Sequence, residues 1–450
     1  MANMSIEQSY IDIFKQYRDV LKRNSGAPMD ALRDAAFESF QRRGFPTRRM
    51  EAYQYTDMKE AFAVDYGMNL NRIALTEDFR CEVPGINAYL FYVVNDTFFC
   101  PPESENCLIE LRKKGVSIGS LREYSETDPE LVAKYYGKAA VSGTDAIIDF
   151  NTAFAQDGFF LHVPENVVID KPIQLICVMT GKVPMLGTQR NLIVLERSAQ
   201  AKLLLCAHTR GEWEQLSNRV TEVFVGENAI YDHYKLENTH SKSISVANLN
   251  IRQQSGSEII VNDLTLHNGL TRNRIQIDID GEHCQTTLSG MAIGDAKQHI
   301  DNTTLINHHK PNCKSRELYK YVLNDEATGA FSGKIMVAEG AFKTEAYQTD
   351  RNVCMSPNAR MYTKPHLEIY ADDVKCSHGA STGRIDETAL FYLRSRGIPE
   401  EEARMLLMFA FVSDVLDNIR IEAVKDKIRL LVEQRFRGEL SHCNSCGVCK

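Results

Sequence analysis

EIIVNDLTL (258–266), followed by RIQIDID (274–280), is the stretch that decides how this chain folds. Each run is short, rich in β-branched residues and partly alternating, the period-two pattern of a strand. The texture extends from about residue 150 to 380, through NLIVLE (191–196) and AKLLLC (201–206). Gly256, Gly269, Gly281 and Gly294 punctuate it at intervals of 13, 12 and 13 residues. Evenly spaced short strands suit a sandwich, a barrel or a parallel β-helix. The stretch is long for one sandwich, which favours the solenoid.

Helical periodicity flanks this region on both sides. Ile6, Tyr10, Ile13, Phe14, Tyr17 and Leu21 recur at helical spacing, so 5–23 reads as an amphipathic helix. NSGAP (24–28) ends it, and Pro28 suits the first turn of a second helix carrying Leu32, Ala36, Phe37 and Phe40. GFPTRRMEAYQYTDM (44–58) breaks the period, and AYLFYVV (88–94) reads as a strand. After 386 the period returns to 3.6. Pro399 opens a helix with Glu400, Glu401 and Glu402 in its first turn, where the dipole favours anions. Ala403, Leu406, Leu407, Ala410 and Phe411 form its expected apolar face. Met405, Met408, Phe409 and Val412 widen the girth, as in a helix packed centrally or docking a partner. A last helix carries Val424, Ile428, Leu431, Val432 and Phe436 and stops near Gly438. The expected organisation is mainly β. A helical and mixed region spans 1–145, a β-helix core 146–385, and a C-terminal helical domain with a cysteine-bearing tail 386–450.

Composition excludes several function classes. A net charge of −8 over 450 residues argues against nucleic acid as the main partner. No stretch approaches the ~20 apolar residues of a membrane span, and MLLMFAFV (405–412) is too short. The first residues lack the charged and apolar segments of a secretory signal, and Arg48–Arg49 has no apolar run behind it. Twelve cysteines without a signal point to a reducing, cytoplasmic setting.

Few motifs carry chemistry. GAFSGK (329–334) has three residues between its glycines where a phosphate loop needs four, and Ile335 follows the lysine. This chain is therefore not expected to hydrolyse ATP. His308 and His309 face opposite sides of a strand and read as surface or interface polar groups. Cys376 and His378 lie two apart in a strand-like run, so they share a face, and both can ligate iron or zinc. The alternative is a buried thiol beside a hydrogen-bonded histidine. In the tail, Cys443, Cys446 and Cys449 form C-x2-C-x2-C, a spacing that lets three thiolates converge on one metal or cluster.

Four segments carry a family resemblance. NCKSRELYKYVLNDEATGAFSGKIMVAEGAFKTEAYQTDRN (312–352) and KPHLEIYADDVKCSHGASTGRIDETALFYLRSRGI (364–398) resemble the core of the SufB/SufD family of the SUF iron–sulfur assembly system. DGFFLHVPENVVIDKPIQL (157–175) resembles the opening of that core. GFPTRRMEAYQYT (44–56) resembles the N-terminal motif of the SufD branch, with Tyr53 where the family commonly carries Trp. No segment resembles the CSAP…YST signature of the SufB branch.

The resemblance implies a right-handed parallel β-helix between helical ends and a non-catalytic scaffold role. It implies pairing with a SufB-like subunit through the β-helix and binding of a SufC-like ATPase by the C-terminal helices, where Leu406, Leu407, Phe409 and Phe411 are the expected contacts. It places His378, with Cys376 beside it, at the interface where a nascent cluster forms, and assigns Arg384 and Asp386 to the junction with the helices. No tightly bound cofactor is expected, only transient iron or an iron–sulfur cluster, and the isolated chain could form a homodimer. The tail cysteines lie outside the family pattern. A self-contained iron–sulfur or metal-binding protein built on that tail is therefore the alternative, and an exported polysaccharide lyase is a weaker one.

Overall fold

A computed structural model describes residues 5–72, 86–211 and 213–438 of the chain. Helices Ile6–Arg23 and Ala27–Arg43 form where the periodicity predicts them. Ser5 caps the first by accepting from the Gln8 amide, and a proline opens the second.

From Phe159 to Gly383 the chain alternates between two sheets, each successive strand crossing to the opposite one. The pairings within this region are parallel, and among the described residues antiparallel pairs occur only at its N-terminal end, between Tyr89–Val94 and Thr97–Phe99 and between Ser117–Ser120 and Phe159–Val163. Leu270 pairs with His299 and His299 with Thr328, so one turn here takes 29 residues. This is the expected parallel β-helix, in a flattened form with two strands per turn. The glycine interval of 12 to 13 residues approximates half a turn, because the chain bends at each crossing. Gly281 sits at such a corner, where a β-carbon would lie 1.9 Å from the Ser255 amide nitrogen.

Three hydrophobic layers hold the fold. Ile193, Val223, Ile251, Ile277, Ile306 and Ile335 are fully buried between the sheets, each contributing roughly 1.5–3 kcal/mol. The N-terminal helices cover the outer face of one sheet through Leu186, Leu216 and Val246. The C-terminal helices Glu400–Leu416 and Glu422–Phe436 fold back and cover the other through Tyr234, Leu264, Met291 and Val322. Lys320 Nζ to Asp414 at 2.6 Å and Arg435 Nη1 to Asp295 at 2.6 Å tie these helices to that sheet.

The face that Glu400–Leu416 buries differs from the expected one. Ala403, Met405, Val412, Val415 and Leu416 are buried, whereas Leu406 and Ala410 are exposed. With apolar residues around most of the helix, spacing alone left the docking face open, and the sheet selects the side on which Met405, Val412 and Leu416 interlock. His308 is also corrected. It is fully buried with Nε2 2.8 Å from Ser315 Oγ, and burial pushes its pKa down to about 4. His309 points the other way, onto Asp280 at 2.9 Å. GAFSGK lies within the strand Thr328–Val337, with Lys334 paired to Glu368 at 2.6 Å.

Candidate functional site at the open end of the β-helix

The two sheets end on the strands Arg360–Ile369 and Lys375–Gly383. Each pairs on one side only, with Thr328–Val337 and Glu345–Cys354 respectively. Neither helical layer covers them, and most of their residues are exposed or half-buried. The last turn therefore presents unpaired edges and an apolar rim of Tyr347, Tyr362, Ile369 and Tyr370, with Phe391 and Tyr392 following on the helix Glu387–Ser395. Asp386 caps that helix by accepting from the Thr388 and Ala389 amides, as expected of the junction.

Cys376 and His378 both lie on the final strand. They face the same side but have different surroundings. Cys376 pairs in register with buried Ala346 and packs half-buried against the interior cluster, and burial pushes its thiol pKa up. A raised thiol pKa makes a weaker metal ligand than an unshifted thiol. His378 pairs in register with Gln348 and is exposed, because no further turn covers it. Its imidazole is an accessible donor at this end, as is that of exposed His366 on the neighbouring strand, whose Nε2 lies 3.2 Å from Glu368 Oε1.

Beneath His378 the interior becomes polar. Gln348 is buried and donates to Glu317 Oε2 at 2.7 Å. Asp350 accepts from Thr363 Oγ1 at 2.5 Å and from Asn352 Nδ2 at 2.8 Å. Glu317 Oε1, Gln348 Oε1 and Asp350 Oδ1 have no hydrogen-bond partner. Burial pushes the Glu317 carboxyl up to about 7 and that of Asp350 up to about 6. The sequence reading missed these groups. Their signal is the alternation in KSRELYKY (314–321), which puts Glu317 on the same face as Tyr319 and Tyr321.

The N-terminal motif reaches the same end of the molecule from outside. Tyr55 stacks on Tyr362 with ring centroids 4.9 Å apart, and Glu51 pairs with Lys364 at 2.5 Å. Tyr53 is buried, donating to Asp145 at 2.7 Å with the Arg272 guanidinium over its ring. The motif thus braces the outer side of the last turns.

Of the expected partner-binding residues on Glu400–Leu416, Leu406 is exposed and Leu407 half-buried. Phe409 and Phe411 pack partly against the cluster beneath the helix. Cys443, Cys446 and Cys449 lie outside the described residues. Among the described residues no group of three or more His, Cys, Asp or Glu is arranged to hold a metal ion, and no helix is long and apolar enough to cross a membrane.

A parallel β-helix flanked by helices and open at one end is the architectural class. Family comparison gives the particular family. A model described as SUF system FeS cluster assembly, SufBD core domain, matches residues 178–411, and one for the SufBD N-terminal region matches 4–175. The chain belongs to the SufBD family. It is 29% identical over 402 residues, 87% of each chain, to an iron–sulfur cluster assembly SufBD family protein of Synechocystis. To the iron–sulfur cluster assembly protein SufD of Bacillus subtilis it is 26% identical over 97% of this chain and 99% of the relative. To SufD of Escherichia coli it is 34% identical over 48% of this chain and 51% of the relative. The family's system is iron–sulfur cluster assembly.

Proposed function

We propose that this chain is a non-catalytic, SufD-like scaffold subunit of a SUF complex. It pairs with a SufB-like subunit through the open end of its β-helix and binds a SufC-like ATPase through its C-terminal helices. The observation that carries this reading is the uncovered last turn, where unpaired strand edges, an apolar rim and exposed His378 coincide. Unpaired parallel edges are satisfied by another strand, so a second β-helix continuing the stack is the natural occupant. With that partner absent, the same surface would pair two copies of this chain.

Iron or a nascent cluster is cargo in this scheme. A neutral imidazole offers one nitrogen to iron and cannot hold the ion alone, so the partner chain supplies the remaining donors. Cys376 is assigned to packing, because its side chain lies half-buried against the interior cluster. At the other site, exposed Leu406 together with Phe391 and Tyr392 offers apolar surface on the outward side of the C-terminal helices.

The test is anaerobic affinity purification of the chain from its native extract, with iron and sulfide assayed in the eluate. Co-elution of SufB- and SufC-like chains, with loss of the ATPase from a truncation ending near Asp386, is the expected result. Elution of the chain alone, coloured and iron-loaded, overturns the scaffold reading in favour of a metal site on the tail.

A further inference from the structure

Two buried thiols lie two and three turns below the final strand and are not used by the scaffold role. Cys284 and Cys313 immediately precede paired strands, Gln285–Gly294 and Lys314–Leu323, which lie on adjacent turns. Gln285 pairs with Lys314, and the Lys314 amide donates to the Cys284 carbonyl at 2.9 Å, so the two cysteines stack one above the other. Both sulfurs converge on the carbonyl oxygen of Gly281, Cys284 Sγ at 3.3 Å and Cys313 Sγ at 3.2 Å. Their turns match in conformation as well, since His283 and Asn312 before them both have φ near +60°. Neither thiol has solvent-exposed surface, but exposed Glu282 and His283 directly precede Cys284.

We propose that Cys284 and Cys313 are a peroxide-sensitive dithiol that closes to a disulfide linking two successive turns of the β-helix. Cys284 is the attacking group. A hydrogen bond from the Cys313 thiol draws its pKa down, whereas burial pushes that of Cys177, Cys354 and Cys376 up. The Cys284 thiolate attacks one peroxide oxygen, the O–O bond breaks, and hydroxide leaves to become water, giving a sulfenic acid at Cys284. Cys313 sulfur then attacks Cys284 sulfur, the S–O bond breaks, and the departing hydroxide takes the Cys313 proton as a second water. Two electrons pass from the two thiols to one peroxide. A dithiol reductant reverses the step by exchange.

The test uses the full chain, reduced and then exposed to hydrogen peroxide, with remaining thiols alkylated under denaturing conditions and peptides mapped by mass spectrometry. A linked pair joining Cys284 to Cys313, released by dithiothreitol, is the expected product. In Cys313→Ser the reaction is expected to stop at Cys284 sulfenic acid, trapped by dimedone. In Cys284→Ser, Cys313 is expected to remain fully alkylatable at the same dose. Recovery of both thiols unmodified in the wild-type chain, or a higher yield of either linked to another cysteine, overturns the proposal. If a serine variant does not fold, the wild-type peptide map alone decides.

Discussion

Gln348 and His378 occupy the same register position on neighbouring strands, yet Gln348 is buried and bonded to Glu317 while His378 is exposed. One turn of β-helix separates a closed interior from an open mouth. The contrast predicts what each position does when changed.

His378→Ala is expected to leave stability within ~0.5 kcal/mol of wild type, as for other exposed positions away from special features. In the assembled complex it is expected to reduce iron and sulfide retained after reconstitution. Unchanged retention, measured by iron and sulfide assay alongside urea unfolding, would remove His378 from the site.

Cys376→Ala separates packing from ligation. The half-buried thiol contributes on the order of 1 kcal/mol by area, so a small drop in the urea midpoint is expected with cluster retention unchanged. Loss of retention at constant stability would make Cys376 a ligand.

Glu317 gives a pH signature. Its folded carboxyl is raised by burial from 4.5 to about 7, so the folded chain holds a proton that the unfolded chain has released between those values. Stability from this group is complete below 4.5 and is lost as pH rises through 7, by on the order of 3 kcal/mol across the window. Glu317→Gln is expected to flatten the fall in unfolding free energy between pH 4.5 and about 7. An unaltered slope in urea titrations would show that Glu317 ionises normally in the folded chain.

The two sides of the helix Glu400–Leu416 are expected to respond differently. Leu416→Ala empties a fully buried site and is expected to cost ~2–5 kcal/mol, seen as faster hydrogen exchange across that helix. Leu406→Glu, on the exposed side, is expected to leave exchange unchanged while abolishing co-purification of the ATPase. Retained ATPase binding in Leu406→Glu would move the docking surface elsewhere, with Phe391 and Tyr392 the next positions to change.

Local signals in the chain place many of the elements. Apolar spacing, Pro28 and Pro399 at helix starts and Gly438 beyond the last helix place the helix ends, since these signals act within a few residues. β-Branched, partly alternating runs such as 258–266 and 274–280 placed strands in the same local way. Tertiary structure alone decided which positions meet across a turn of some 29 residues, because stacking depends on the length of every intervening corner. Cys284 therefore meets Cys313, and Glu317 lies beneath Gln348 and His378, with no local pattern to announce either. It also decided which side of Glu400–Leu416 faces the sheet, because a helix apolar around most of its girth takes its orientation from the surface it packs against.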